Sequence, residues 1–128
     1  MTGERLRFRK SDRILRRADF LRVQHSGHKV QTRSFVIMVL PAEQARFGIT
    51  VTRKTAGAVG RNRIKRLVRE VYRQNRALFP ERCELVLVAR AAATTLDYAA
   101  LQAELEQAGP RLRRAAQAAS QAAREPRA

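Results

Sequence analysis

The chain has 128 residues, the usual size of one domain, and 45% of them are hydrophobic, which is enough for a modest core. Its 27 lysines and arginines outnumber 11 acidic residues, and the formal net charge of +16 indicates a polyanionic partner such as nucleic acid. No apolar run approaches the roughly 20 residues of a membrane span, and the first residues lack the apolar core of a signal peptide. We therefore expect a cytoplasmic protein with no membrane partner.

The first half of the chain predicts one helix and then strands. Residues 1–13 are rich in arginine and have few apolar neighbours, which predicts a flexible basic arm. A short helix is expected over residues 16–26, because Ser26 and Gly27 provide a stop. β-Branched and aromatic residues then predict strands over residues 28–40 and 46–52, with a break at residues 32–34 that divides the first strand into two.

The second half predicts a helix, a buried strand and a last helix. A loop with two glycines leads to a helix over residues 61–79, which Pro80 ends. The apolar run at residues 83–89 is typical of a strand buried on both faces. The predicted order is therefore αβββαβα, a single α+β domain.

The last helix is expected to begin near Thr94 or Thr95, since a threonine hydroxyl can cap a helix start. Gly109 and Pro110 should kink or split it. Residues 111–128 have helix propensity but little to bury, so we expect a frayed or disordered tail. The sequence thus predicts a domain over residues 1–110 and a tail over residues 111–128.

The stretch GRNRIKRLVRE at residues 60–70 combines an apolar helical stripe with a cationic one. Ile64, Leu67, Val68, Val71 and Tyr72 recur at helical spacing and predict a buried face. Like charges on one side of a helix repel each other unless an external anion offsets them, which favours binding of phosphate groups. The cationic stripe consists of Asn62, Lys65, Arg66, Arg69, Arg73 and Arg76, and Arg53 and Lys54 on the preceding loop extend it.

Catalysis by the protein itself finds no support in the sequence. His25 and His28 are the only histidines and have no carboxylate cluster nearby, while Asp12 and Asp19 are too isolated for a two-metal site. The one cysteine, Cys83, is expected in the core. We predict no catalytic residue and no metal ligand.

The segment AVGRNRIKRLVRE, entered from GITVTRK and followed by a strand ending LVLVAR, closely resembles the protein subunit family of bacterial ribonuclease P. The start LRFRKSDRILRRADFLRVQHSGHKV is similar to that family's opening. The resemblance covers roughly residues 6–105. It implies a ribosomal-protein-like fold, in which a four-stranded mixed sheet packs on helices with a left-handed βαβ crossover through the basic helix, whereas nearly all other crossovers are right-handed.

The resemblance also implies a function in tRNA maturation. The family's protein partners a catalytic RNA, which holds the active site and most of the Mg²⁺, and the complex removes the 5′ leader of precursor tRNA. No stable protein partner is expected. By position, the resemblance places a leader-binding cleft at Phe20, Val36 and Met38. It assigns binding of the catalytic RNA to Arg53, Lys54, Arg61, Asn62, Arg63, Lys65, Arg66, Arg69 and Arg73.

Two positions depart from the family pattern, and two other interpretations remain open. Gln24 and Met38 stand where some members carry phenylalanine and tyrosine, so fewer stacking faces are expected for the leader.

A ribosomal or general RNA-binding protein without a role in cleavage would have the same charge and fold class. Reading of DNA bases is less well supported, because the stripe has few of the Asn, Gln and Ser side chains used for it.

Overall fold

The computed structural model describes residues 10–124 and confirms the αβββαβα order of the α+β domain. The arm predicted for residues 1–13 lies outside the described residues, except for its last four. Single 3₁₀ turns occupy Lys10–Asp12, Arg76–Leu78 and Ala91–Thr95. The main elements are α1 (Arg17–Ser26), β1 (His28–Gln31), β2 (Phe35–Pro41), β3 (Arg46–Thr50), α2 (Ala58–Gln74), β4 (Cys83–Ala89) and α3 (Tyr98–Arg124).

The four strands form one mixed sheet in the order β1-β2-β4-β3. β1 and β2 pair as an antiparallel hairpin, with the predicted break at residues 32–34 as its turn. β4 lies between β2 and β3, antiparallel to the first and parallel to the second. Because α2 connects the parallel neighbours β3 and β4, these elements form the βαβ crossover that the resemblance implies.

The two faces of the sheet pack against different helices. Phe35 and Ile37 point to one face, where the main core joins the sheet to α2 and α3. Val36 and Met38 point to the other face, where α1 covers a smaller cluster built around Val23. This alternation along β2 confirms that Val36 and Met38 share a face.

Helix α2 begins and ends earlier than the sequence predicts. It starts at Ala58 rather than at residue 61, and it ends at Gln74, well before Pro80. The Asn75 side chain donates a hydrogen bond to the carbonyl of Val71 (2.9 Å), which competes with helix continuation, and another to the hydroxyl of Tyr98 (2.9 Å). The prediction that Pro80 ends the helix is therefore wrong.

Helix α3 differs from its prediction at both its start and its middle. Asp97, not a threonine, caps the helix, since its Oδ1 accepts the backbone N–H of Ala100 at 2.8 Å. Of the predicted kink or split at Gly109 and Pro110, the split is wrong, because α3 continues through Pro110 to Arg124, and the kink stays a prediction. Leu112 and Ala119 are buried beyond the proline and hold that part of the helix on the domain. The division at residue 110 stays a prediction, and residues 125–128 lie outside the described part.

A carboxylate on α3 holds the turn of the β1–β2 hairpin. Glu104 accepts hydrogen bonds from the hydroxyl of Thr32 (2.7 Å) and from the hydroxyl and backbone N–H of Ser34 (2.7 and 2.9 Å). Thr32 and Ser34 are buried, so this carboxylate satisfies polar groups that water cannot reach. The last helix is thereby fastened to the first hairpin.

Candidate nucleic-acid interface

One side of α2 is anchored in the core and the other side carries cations. Ile64, Val68 and Val71 are at most 1% exposed and fix the helix against the sheet. Within residues 10–124, neither Lys65 nor Arg66 has an acidic partner. Because the apolar side is fixed, the cations on the other side are held at set positions, and the charges of Lys65 and Arg66 are not neutralised by a neighbouring carboxylate in the described part of the chain. We call Asn62, Lys65, Arg66 and Arg69 the basic row.

Arg61 and Arg63, which the resemblance assigns to RNA binding, make contacts inside the chain. Arg61 donates a hydrogen bond to the carbonyl of Ala56 at 3.0 Å, across the start of α2. Arg63 lies on the opposite flank from the basic row and donates to the carbonyl of Leu96 at 2.5 Å. Arg63 thus fastens α2 to the segment before α3, in addition to any contact it makes with a ligand.

Arg73 continues the stripe beyond the basic row but forms an ion pair with Glu70, one turn away. Hydrogen bonding to this carboxylate raises the pKa of the Arg73 guanidinium. Glu70 also accepts a hydrogen bond from Gln74 at 3.0 Å. The charge of Arg73 is therefore offset within the helix, and the unoffset cations are those of the basic row.

The loop between β3 and α2 presents two further cations beside the helix start. Arg53 and Lys54 are exposed at its tip. Backbone N–H groups of Thr55 and Ala56 donate to the carbonyl of Thr52 at 3.0 and 3.3 Å, which shapes the loop as a tight turn. The structure thus places Arg53 and Lys54 on the loop that leads into α2, and their part in the basic surface stays a prediction.

Arg69 connects the basic row to the opposite face of the sheet. Its side chain lines a cavity of about 60 Å³ together with Arg13, Phe20 and Gly48. Burial, and then the nearby charge of Arg13, lowers the pKa of the Arg69 guanidinium. Two cations therefore lie beside the aromatic ring of Phe20, where an anion would relieve their repulsion.

The predicted leader-binding residues lie along α1 and the strands beneath it, where they form what we call the apolar cleft. Phe20 and Val36 are half-buried, and so is Val88 on β4, which the sequence prediction missed. Met38 is only 3% exposed, because Gly27 brings the end of α1 onto it. Met38 therefore forms the floor of the cleft, and Phe20 and Val36 form its accessible surface.

A buried carboxylate closes one end of the apolar cleft. Glu84 is 3% exposed and accepts hydrogen bonds from Arg22 at 2.7 Å and from Arg46. Hydrogen bonding to Glu84 raises the pKa of Arg22, and Asp19 adds a weaker contact to the same guanidinium at 3.4 Å. This cluster ties α1 to β3 and β4. The signal for it was a lone charged residue inside an apolar strand.

The described residues provide little for metal binding or membrane insertion. Among residues 10–124, no group of three or more His, Cys, Asp or Glu side chains could hold a metal ion. Within the same part of the chain, no helix has the length and hydropathy needed to cross a membrane. The groups that this interface presents are guanidinium, ammonium and aromatic side chains, which suit phosphates and bases.

Comparison with known proteins adds independent findings. The sequence model of the family described as Ribonuclease P matches residues 8–113. A curated Ribonuclease P protein component from Citrifermentans bemidjiense is 40% identical over 109 residues, which cover 84% of this chain and 93% of the relative. Another, from Desulforapulum autotrophicum, is 41% identical over 100 residues, which cover 77% of this chain and 86% of the relative.

Solved structures give the same result. The RNase P protein of Staphylococcus aureus matches with a TM-score of 0.68 and 33% identity, over 77% of this chain and 92% of that one. The RNase P protein of Thermotoga maritima matches with a TM-score of 0.69 and 30% identity, over 77% of this chain and 96% of that one.

Proposed function

The chain belongs to the ribonuclease P protein family, and from this premise we propose that its two surfaces have separate tasks, the basic row holding the catalytic RNA and the apolar cleft holding the 5′ leader of precursor tRNA. The chain is the protein component of an endonuclease in which RNA, not protein, is the catalytic centre. It partners the ribonuclease P RNA and binds precursor tRNA.

The observation that carries this assignment is the rigid presentation of cations with no acidic partner. Lys65 and Arg66 stand on a helix whose opposite side is fully packed, so they meet a phosphate backbone without prior ordering. Arg53 and Lys54 extend the same surface at the helix start. Contacts of this kind release counterions and make RNA binding strongly dependent on salt.

Support for the cleft comes from its composition and its position. Phe20 and Val36 pack against the same apolar cluster, and single-stranded nucleic acids commonly stack their bases on aromatic rings such as that of Phe20. Arg69 reaches the same place from the basic row, so a base on the ring would have its phosphate near a cation. Met38 supports the cleft from below rather than by direct contact.

Arg61, Arg63 and Arg73 take part in RNA binding only in addition to their contacts within the chain. Arg61 and Arg63 donate to backbone carbonyls, and Arg73 pairs with Glu70. Each could still direct its remaining N–H groups at a phosphate. We therefore assign them a smaller share of RNA affinity than the basic row.

We propose that Mg²⁺ takes part in this function as an ion bound to the RNA partner. Ribonuclease P is an RNA-based enzyme in which Mg²⁺ is generally relevant. Mg²⁺ prefers several oxygen ligands, and Asn62, the one oxygen donor of the basic row, lies among cations that would repel it. The row does not fit a magnesium site, so we assign the ions to the RNA partner.

Precursor tRNA, the substrate of ribonuclease P, is made in the cytoplasm. We therefore propose the cytoplasm as the location of the protein.

Cleavage of a precursor tRNA by a bacterial ribonuclease P RNA at limiting Mg²⁺ tests the proposal. The reaction is run without protein, with the intact protein, and with a variant carrying Arg66→Ala and Arg69→Ala. We expect leader removal only with the intact protein. A control variant, Arg33→Ala, removes a charge from the exposed turn of the β1–β2 hairpin and should retain the activity of the intact protein. A protein that binds RNA without aiding cleavage would instead be a general RNA-binding protein.

A further inference from the structure

A groove outside the surfaces described above lies between the end of α2 and the C-terminal half of α3. It has a volume of about 1160 Å³ and is open to solvent. One wall comes from the 3₁₀ turn Arg76–Leu78 and the loop after it, and the other from α3 beyond Pro110. The family model ends at residue 113, so this second wall stands at and beyond the end of the shared region.

The floor of the groove is rigid and aromatic. Tyr72 and Phe79 are 3% and 6% exposed, and their ring centroids lie 4.9 Å apart. Phe47 stacks on the inner side of Tyr72 at 4.2 Å. Because these rings are packed against the core, they support the groove but do not offer open faces for stacking.

Three arginines surround the opening. Arg76 lies over the ring of Tyr72, 4.6 Å from its centroid, and donates to Asp12 at 3.2 Å. Both contacts fix the position of its guanidinium at the rim. Arg113 and Arg114 are exposed on the facing wall. The one acidic residue that lines the groove is Glu81, and Asp12 offsets Arg76, so the excess positive charge at the opening comes from Arg113 and Arg114.

The groove continues the basic row. Arg76 stands just past the end of α2 and donates to Asp12, and the next residue, Arg13, lines the same cavity as Arg69 of the row. Moving along α2, a bound polyanion therefore passes from the row to the rim of the groove and then to α3. An acidic peptide would contact only the three arginines around the groove. A nucleic acid backbone would contact the groove and the basic row at once, and the continuity of the two surfaces therefore favours nucleic acid.

We propose that this groove binds the phosphate backbone of the ribonuclease P RNA and extends the RNA-binding surface from α2 onto Arg113 and Arg114 of α3. The inference rests on the proposed function, since the basic row sets where the RNA lies. It gives the segment after Pro110 a role in binding. The positive charge of this segment is then part of the interface. The buried side chains of Leu112 and Ala119 hold this part of α3 in place against the domain.

Binding of the RNA at a series of salt concentrations tests the inference. Each phosphate contact with a single strand or a duplex contributes about 0.7–0.9 to the slope of log K against log salt. The variant Arg113→Ala with Arg114→Ala should therefore lower the slope by about 1.4–1.8. Alanine preserves helix propensity, and far-ultraviolet circular dichroism verifies that α3 forms.

Two further variants separate the outcomes. Arg33→Ala removes a charge from the exposed turn of the β1–β2 hairpin and should leave the slope unchanged. Arg66→Ala with Arg69→Ala should lower it through the basic row. If the α3 variant behaves like the hairpin variant while the basic-row variant binds weakly, the groove assignment is overturned and the proposed function stands. If the basic-row variant also binds normally, the proposed function itself fails.

A tethered probe gives a second, independent measurement. Cys83 is buried, so a thiol reagent attaches selectively to an introduced Gln117→Cys at the groove. An iron chelate on this thiol should cleave the bound RNA at a defined position. The same chelate on Arg33→Cys should give no cleavage at that position. Identical cleavage patterns from both proteins would contradict the proposal.

Discussion

A methyl group added at residue 48 tests whether α1 must lie close to the sheet. Gly48 of β3 lies directly beneath the ring of Phe20. A Cβ at this position would lie 2.6 and 2.8 Å from two ring carbons of Phe20 and 3.2 Å from the Cβ of Ile14. Carbon atoms normally approach to about 3.5–4.0 Å, so the ring must move by roughly 1 Å. Overpacking of this kind costs about 1–3 kcal/mol, which the free energy of unfolding of Gly48→Ala should show.

The displacement should also weaken leader binding. A base stacked on an aromatic ring is worth about 1–3 kcal/mol. Loss of about half of this stacking, roughly 1 kcal/mol, corresponds to an affinity about fivefold lower. The assay measures Kd of the reconstituted enzyme for a precursor tRNA with its leader and for the same tRNA without it. We expect the loss only for the leader-bearing RNA.

Gly57→Ala is the matched control, because a Cβ there meets no atom within 4 Å. Gly57 is the N-cap of α2, where alanine is less favourable than glycine, so this variant should lose some stability but keep its leader-dependent affinity. Our reasoning is refuted if Gly48→Ala folds normally and binds the leader as tightly as before. It is refuted as well if the two glycine variants lose leader affinity equally.

Four further outcomes are expected. Glu84→Gln should lower the free energy of unfolding in urea by about 1–3 kcal/mol, because the buried carboxylate loses its charge-assisted hydrogen bonds; an unchanged midpoint would contradict this. Arg63→Ala should cost about 1 kcal/mol of stability, whereas Arg66→Ala should weaken RNA binding with a stability change within about 0.5 kcal/mol. Sulfate should raise the melting temperature more for the intact protein than for the basic-row double variant, since specific binding adds to the general effect of this salt. Burial raises the pKa of the Cys83 thiol and so lowers its thiolate fraction, and alkylation at about pH 8 should be slow until urea unfolds the chain.

Elements with a strong local pattern could be predicted from the sequence. The apolar run of β4 has no competing interpretation, and its predicted and observed bounds agree. The apolar stripe of α2 likewise determines which side faces the core, and therefore where Lys65 and Arg66 point. Both follow from the periodicity of residues close together in the chain.

Features that depend on distant residues could not be predicted in this way. Helix α2 ends at Asn75 because its side chain also contacts Tyr98, which is 23 residues further along. Glu84 is acceptable inside a strand because Arg22 reaches it from α1, 62 residues away. The contact of Asn75 with Tyr98 leaves no mark on the local pattern, and the lone charge of Glu84 in its apolar strand shows that a partner is needed but not which residue it is.

The order of the strands has a consequence for the way the chain matures on the ribosome. β4 is the last strand to be synthesised, yet it lies between β2 and β3 and is the partner of both. Until residue 89 has left the exit tunnel, the emerging chain can form the β1–β2 hairpin but not the sheet. Glu104 follows later still, so the turn at Thr32 and Ser34 gains its last hydrogen bonds only after the first two turns of α3 are made. The nascent protein therefore displays its first cations before it has a core, and its folding depends on α3.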